Sequence, residues 1–147
     1  MSAVWLITWN PERWTWKNYR ALCAGTRLRE TVLEPWTCMS RKPQLGDEVF
    51  LMKTGEKPRG IIGHGHVVKE SYLAQHYDAE RAARGEKVTH IDVEFDRILN
   101  YETEEILSQG FLKKQLPEQQ WSPQGSGIRI REEVVLQVKK MWELLVG

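Results

Sequence analysis

The chain has 147 residues, enough for one domain with a single core, with 41% hydrophobic residues, 28% charged residues and a net charge of +1. It shows no apolar run long enough to cross a membrane and no charged, apolar start typical of a secretion signal. Its two cysteines, Cys23 and Cys38, form neither a disulfide framework nor a zinc knuckle, so we expect a cytoplasmic protein with one domain over residues 1–147.

The first half of the chain predicts three strands and one helix. The strands are Val4–Thr8, Glu48–Lys53 and Ile61–Lys69. Thr15–Ala24 predicts a short helix, with its first residue as the N-cap and Gly25 as the stop signal. Residues 34–37 (Glu-Pro-Trp-Thr) are typical of a loop, and residues 54–60 predict a hairpin loop.

The second half predicts one long strand, three helices and a loop. Val88–Ile98 alternates apolar and polar residues, which indicates a half-buried strand. The predicted helices are Asp78–Arg84, Thr103–Gln109 and Glu132–Leu145. Residues 116–127 predict a loop. Because strands and long helices do not alternate regularly, the predicted class is α+β, with a mixed, strongly curved sheet and helices packed outside it.

Charge is distributed unevenly along the chain. Residues 1–69 carry eleven basic against six acidic side chains, whereas residues 70–106 carry four against ten. A basic first half suits a phosphate backbone, although uneven charge also arises by chance in small domains. The predicted phosphate contacts are Arg41, Lys42, Lys53, Lys57 and Arg59, with Lys113 and Lys114 as further candidates.

Seven tryptophans are unusual for this length, and five of them fall within the first 36 residues. Each buried indole needs a partner for its N–H group, so a core explanation for all of them is unsatisfactory. Trp5 and Trp142 are predicted to lie in the core. Trp36 and Trp121, which sit among polar loop residues, favour ligand contact. Trp14 and Trp16 fit either role.

Small polar residues accompany these tryptophans and complete a predicted base-binding pocket. Flat indole faces can stack on a base, and side chains of Asn, Thr and Ser can read its Watson–Crick edge. The predicted pocket residues are Thr8, Trp9, Asn10, Trp14, Trp16, Trp36, Thr37, Trp121 and Ser126.

Metal and catalytic chemistry are weakly indicated. The rings of His64 and His66 would project from one face of a strand, but we find no nearby third ligand in the sequence, so no metal site and no cofactor are predicted. Gly65 between them is better explained by close approach of another backbone or a ligand. A thiol–imidazole pair using Cys38 has no support in spacing, so we predict no enzymatic activity.

Five segments together resemble a known family through their order and spacing. They are Trp5–Pro11, Trp14–Trp16, Gly46–Leu51, Arg59–Gly65 and Trp121–Ile128. The resemblance is to the EVE domain, above all to the EVE modules fused to HNH nucleases in bacterial modification-dependent restriction, and it covers nearly the whole chain.

This resemblance implies a PUA-like mixed β-barrel with peripheral helices and a pocket beside the first strand. Thr8–Asn10 and Trp36–Thr37 stand in places similar to the pocket segments of the related YTH readers. Trp14, Trp16 or Trp121 would supply the second cage tryptophan. The implied target is DNA with a flipped 5-methyl- or 5-hydroxymethylcytosine.

The nuclease-fused branch also implies a fused or separate nuclease partner. No histidine-rich HNH motif follows Trp142, so cleavage is not expected from these residues. Two further hypotheses remain: an RNA reader of the YTH kind, and a small-molecule sensor whose cage binds a metabolite. No membrane partner is expected.

Overall fold

The computed structural model describes residues 3–147. Met1 and Ser2, the first two residues of the predicted domain 1–147, lie outside the described residues. Over that range the chain forms a seven-stranded mixed sheet and four helices. The strands are β1 (Val4–Trp9), β2 (Val32–Thr37), β3 (Glu48–Lys53), β4 (Gly60–Gln75), β5 (Lys87–Ile98), β6 (Leu107–Ser108) and β7 (Ile128–Arg129). The helices are α1 (Tyr19–Arg27), α2 (Ala79–Ala83), α3 (Gln109–Gln115) and α4 (Glu132–Val146).

The sheet is mixed and its two ends approach each other. Its strand order is β2-β5-β4-β3-β1-β7, with β6 paired to β4. β1 and β3 run parallel, and the other pairs are antiparallel. The N–H of Met39, just after β2, donates to the carbonyl of Ser126, just before β7, at 2.8 Å. The predicted α+β class with a barrel-like curved sheet is therefore confirmed.

The core is built mainly from the alternating and continuous apolar residues of the central strands. Leu6, Phe50 and Phe95 are fully buried. Trp5 and Trp142 are 4% and 5% exposed, so both are buried as predicted. Within residues 3–147, no helix combines the length and the apolar character needed to span a bilayer.

Helix α1 begins four residues later than predicted. Trp16 turns inward and is buried, so residues 15–18 form a connection that ends at Asn18 in the left-handed region (φ 64°). The helix also continues past Gly25, because the Thr26 hydroxyl accepts the Ile98 N–H at 2.9 Å and anchors the last turn to β5. Tertiary contacts set both ends of this helix.

Residues 34–37 form the last four of the six residues of an edge strand rather than the predicted loop. Among the strands of residues 3–147, β2 pairs only with β5, and Pro35 lies opposite Asp92 in that ladder. A proline in an edge strand costs no ladder hydrogen bond when its nitrogen faces away from the neighbour. Its position therefore does not exclude a strand.

The helix predicted over Thr103–Gln109 is also wrong. Leu107 and Ser108 pair with β4 instead, where Gly60 lets the two backbones come together: a Cβ on Gly60 would meet the Leu107 carbonyl oxygen. The helix starts only at Gln109, after the Ser108 hydroxyl accepts the Phe111 N–H at 3.4 Å.

In the β4–β5 hairpin, β4 extends well past its predicted end at Lys69, whereas β5 matches the predicted strand Val88–Ile98 to within one residue. β4 reaches Gln75, and the connection to β5 carries the short helix α2. Asp78 caps α2 by accepting the Glu80 N–H at 2.9 Å, and Gly85 ends it with a φ of 81°. The helix predicted over Asp78–Arg84 is thus confirmed, and the hairpin end stands beside the loop that follows β1.

Candidate nucleic-acid interface

A cavity of about 840 Å³ opens where β1 and β3 end. Because these strands are parallel, with Trp9 beside Lys53, their carboxyl ends meet at one edge of the sheet. The segment after β1, the connection 54–59 and the loop 122–127 all converge at that edge. The end of β2 and the end of the β4–β5 hairpin supply the remaining walls.

The end of β1 is held by hydrogen bonds that leave side chains facing the cavity. The Trp36 indole N–H donates to the Thr8 carbonyl at 2.9 Å, and the Thr8 N–H donates to the Ser126 hydroxyl at 3.0 Å. Thr54 donates its N–H to the Trp9 carbonyl at 2.8 Å. Since a hydroxyl both accepts and donates, Ser126 can still give its own proton to a ligand.

Two tryptophans give the cavity its flat aromatic walls. The ring centroids of Trp14 and Trp36 lie 5.3 Å apart with their planes at 90°. Trp14 is half-buried, whereas Trp36 is 5% exposed. The Trp9 indole N–H donates to the Trp14 carbonyl at 2.9 Å, which fixes the segment that carries the half-buried ring.

Most of the predicted pocket residues meet at this cavity. Those that line it are Thr8, Trp9, Asn10, Trp14, Trp36, Thr37 and Ser126. Trp16 lies behind the wall, 4.7 Å from Trp36, and bonds through its indole N–H to Glu34. Trp121 is 1% exposed and donates to the Leu116 carbonyl at 2.8 Å, so it packs in the core and not at the cavity.

The loop 122–127 reaches the cavity because its glycines allow close packing on the segment after β2. A Cβ on Gly125 would meet the Met39 sulfur, and one on Gly127 would lie 2.5 Å from the Cys38 sulfur. Gly127 also has a φ of 101°. The loop 122–127 therefore contributes Ser126 to the cavity wall. Trp121, which directly precedes this loop, is buried in the core.

Sequence reasoning missed the wall that the β4–β5 hairpin provides. His76, Tyr77, Arg81 and His90 all line the cavity, as does Arg13 from the segment after β1. The rings of His76 and Tyr77 are in contact, with centroids 4.4 Å apart and planes tilted by 30°. Arg81 lies within residues 70–106, the acidic part of the sequence, so the charge distribution did not indicate it as a phosphate contact. Two aromatic side chains, His76 and Tyr77, directly before the capping residue Asp78 are the local sequence signal for this wall.

Among the predicted phosphate contacts, Lys53 has a different role. It is 3% exposed, and its ammonium donates to the carbonyls of Glu56 and Pro58 at 2.6 and 2.8 Å. Burial, together with nearby Arg59, lowers its pKa. Lys53 therefore stabilises the connection 54–59 by hydrogen bonds from within the fold. The predicted contacts that remain exposed are Arg41, Lys42, Lys57 and Arg59, as are Lys113 and Lys114.

A second cavity of about 560 Å³ lies near the start of β1. Lys42 and Arg129 line it, together with Trp5 and Asp47. The Trp5 indole N–H donates to the Asp47 carboxylate at 2.9 Å, so the acidic group already has a partner. This cavity therefore places two cationic side chains near the start of β1, away from the aromatic walls of the 840 Å³ cavity.

The structure gives Cys38 no features of a nucleophile. Its sulfur is fully buried and lies 3.4 Å from the Ser40 carbonyl. Burial raises the pKa of the Cys38 thiol to about 11, so the thiol stays protonated near neutral pH.

The histidine pair acquires a third candidate ligand. Glu48, His64 and His66 place ligand atoms within 4.8 Å of one another, although Glu48 is remote in sequence. The close approach expected at Gly65 is confirmed, because a Cβ there would meet the Glu94 carbonyl oxygen of β5.

A curved mixed sheet with peripheral helices and a pocket beside its first strand defines a PUA-like domain. The EVE domain family matches residues 3–140, and the chain belongs to this family. Comparison with curated protein sequences finds no significant match.

Solved structures with the same fold come from several organisms. A hypothetical protein from Leishmania major has a TM-score of 0.67 at 16% identity, covering 97% of this chain and 96% of its own. A Pseudomonas syringae protein has a TM-score of 0.64 at 22% identity, covering 95% and 99%. Human THYN1, in complex with 5-methylcytosine-containing DNA, has a TM-score of 0.59 at 18% identity, covering 95% and 97%.

Proposed function

We propose that this chain is a nucleic-acid-binding reader that takes a flipped, modified base into the 840 Å³ cavity. The observation that carries the proposal is the right-angled pair of Trp14 and Trp36 beside the end of β1. A base stacked on one ring meets the edge or face of the other. Hydroxyl and amide groups of Thr8, Asn10 and Ser126 stand next to that space.

The energetics of capture are favourable only with several contacts together. Rotating a base out of a duplex costs a few kcal/mol. Stacking on an aromatic side chain returns about 1–3 kcal/mol per base. Edge hydrogen bonds from the strand end would supply the rest, and Arg13 and Arg81 at the cavity would attract the adjacent phosphates.

The proposed base is 5-methyl- or 5-hydroxymethylcytosine in DNA. Support comes from the shared fold with human THYN1, which was solved with 5-methylcytosine-containing DNA. Burying one extra methyl group is worth about 0.8 kcal/mol, which corresponds to an affinity preference of about fourfold over cytosine. Partial polarity of the walls would also accept a hydroxymethyl group.

Action on DNA would then depend on a partner. Binding a modified base locates a site on DNA but does not cleave the DNA. We therefore propose that a nuclease, fused to this domain or separate from it, acts at the modified sites that the domain binds. Membership of the EVE family supports the binding role. Co-purification from the native host would identify the nuclease partner.

The test is direct binding to duplexes that differ at one central base: cytosine, 5-methylcytosine, 5-hydroxymethylcytosine or, at a matched site, N6-methyladenine. Fluorescence anisotropy gives affinity and tryptophan quenching reports contact with the indoles, both at two salt concentrations. A several-fold preference for one modified cytosine, with quenching, is the expected result. Equal and steeply salt-dependent binding to all four would reduce the protein to a backbone binder.

Single-stranded RNA and DNA of matched sequence, with and without the methyl group, extend the same assay. Tighter binding to methylated RNA would replace DNA as the target while keeping the cavity assignment. Absence of binding to every nucleic acid would leave a small molecule as the occupant of the cavity.

A further inference from the structure

Three side chains from two neighbouring strands meet on a face away from the large cavity. Glu48 opens β3, and His64 and His66 lie on β4. The register pairs Glu48 with His66 and Phe50 with His64, so all three side chains share one face of the sheet. Their ligand atoms lie within 4.8 Å of one another, and none of the three lines the 840 Å³ cavity.

His64 is oriented as metal-bound histidines are. Its Nδ1 lies 2.9 Å from a carboxylate oxygen of Asp96, and its Nε2 lies 3.3 Å from Glu48 Oε2. In a neutral ring, a proton on Nδ1 bonded to Asp96 leaves the lone pair of Nε2 directed at the Glu48 side. A carboxylate behind a ligating histidine holds the ring and raises its basicity.

Glu48 is held in the same way from its other side. Lys139 of α4 bonds to Glu48 Oε1 at 2.9 Å, which leaves Oε2 facing His64. Two atoms bound to zinc at about 2.1 Å with a tetrahedral angle lie about 3.4 Å apart. The observed 3.3 Å between His64 Nε2 and Glu48 Oε2 already fits that spacing.

The third side chain keeps the cluster accessible. The His64 and Glu48 side chains are 15% and 20% exposed, whereas His66 is exposed. The rings of His64 and His66 lie 5.3 Å apart between centroids. An ion entering from solvent would meet His66 first, and a rotation of that exposed ring would close the triad.

We propose that Glu48, His64 and His66 form a binding site for a divalent transition-metal ion of the zinc class. Two imidazoles and one carboxylate are a ligand set typical of zinc, with a fourth position for water. The same nitrogen-rich set accepts Ni²⁺ and Co²⁺. Bound metal would tie β3 to β4 and, through Lys139, to α4, so it would stabilise the folded chain.

The test uses the full chain without a polyhistidine tag, stripped with a chelator and dialysed at pH 7.5. Calorimetric titration with Zn²⁺ should give one ion per chain, and Co²⁺ should give the visible absorption of a four-coordinate ion. His66→Ala and His64→Gln should each weaken zinc binding by at least about tenfold, since losing a ligand costs no less than losing an outer-shell partner. Asp96→Ala, which removes a positioning group, should weaken it about 10- to 100-fold.

Glu118→Gln is the control, since it removes an exposed carboxylate outside the cluster and should leave zinc affinity unchanged. Circular dichroism checks that each variant folds. His66→Ala decides the matter if His64→Gln is unstable, because His66 is exposed. Zinc binding that is absent from the wild type, or equally tight in His66→Ala, would overturn the proposal.

Discussion

The indole rings of Trp14 and Trp36 meet at a right angle, with centroids 5.3 Å apart, at the end of the first strand. One ring is half-buried and the other almost fully buried, so they differ in what they do for the protein. The Trp36 N–H holds the Thr8 carbonyl and is part of the scaffold. Trp14 is half-buried at the cavity and stacks partly on Trp16, and it is the ring that we propose to stack on the base.

Trp14→Ala should therefore reduce binding to the preferred modified duplex without unfolding the domain. We expect a loss of about 1–3 kcal/mol, the value of one stacked base, measured by fluorescence anisotropy. Phe111→Ala is the control, because it removes an exposed aromatic ring outside the cavity. Unchanged affinity of Trp14→Ala for the modified duplex would remove this wall from the binding site.

Arg13 and Arg81 should bind phosphates rather than read the base. Removing both by Arg13→Ala and Arg81→Ala should weaken binding to all duplexes by a similar factor. The slope of log affinity against log salt should fall by about 0.9 for each lost phosphate contact. Lys140→Ala on α4 serves as the control. A change in the ratio of modified to unmodified affinity would show instead that the arginines contact the base.

Lys53→Met should destabilise the domain, because the ammonium of Lys53 bonds to two carbonyls of the connection 54–59. Hydrogen bonds from a charged group contribute about 1.5–3 kcal/mol, so a loss of about 2 kcal/mol in unfolding free energy is expected from urea titration. Lys57→Met, at an exposed position, is the control. Full stability combined with weaker, less salt-dependent DNA binding would restore Lys53 as a phosphate contact.

Glu104 should contribute to stability only above acidic pH. Burial tends to raise its pKa, but the Asn100 N–H, Arg27 and Arg97 together lower it below the usual 4.5. Because the folded pKa is the lower one, the contribution is complete above the unfolded value and is lost as pH falls through the folded value.

Glu104→Gln should accordingly lower the unfolding free energy at pH 7 by about 1–2 kcal/mol, with the difference from wild type shrinking below about pH 4.5. Urea titrations from pH 7 to pH 3 measure it. Glu105→Gln, an exposed neighbour, should track the wild type. A Glu104→Gln deficit that stays constant down to pH 3 would rule out the lowered pKa as its origin.

Elements with strong local patterns were predictable from the sequence. The strand Glu48–Lys53 has the predicted bounds, and the final helix differs by one residue. Both are continuous apolar or strictly periodic segments whose own pattern matches their environment. The wrong predictions lie where residues distant in sequence determine the local structure. Pro35 is tolerated in a strand because β2 is an edge strand, and residues 107–108 form a strand because they pair with β4.

For the site, the sequence by itself determined the residue types: a tryptophan-rich start, small polar residues at a strand end, and a glycine-containing loop before β7. Only the tertiary structure decided which rings face the cavity, because the direction of an indole depends on the partner that its N–H finds. Trp36 finds the Thr8 carbonyl beside the cavity, whereas Trp121 finds Leu116 in the core. For the same reason Glu48 joins His64 only in the folded sheet, where strand register brings residues remote in sequence within reach.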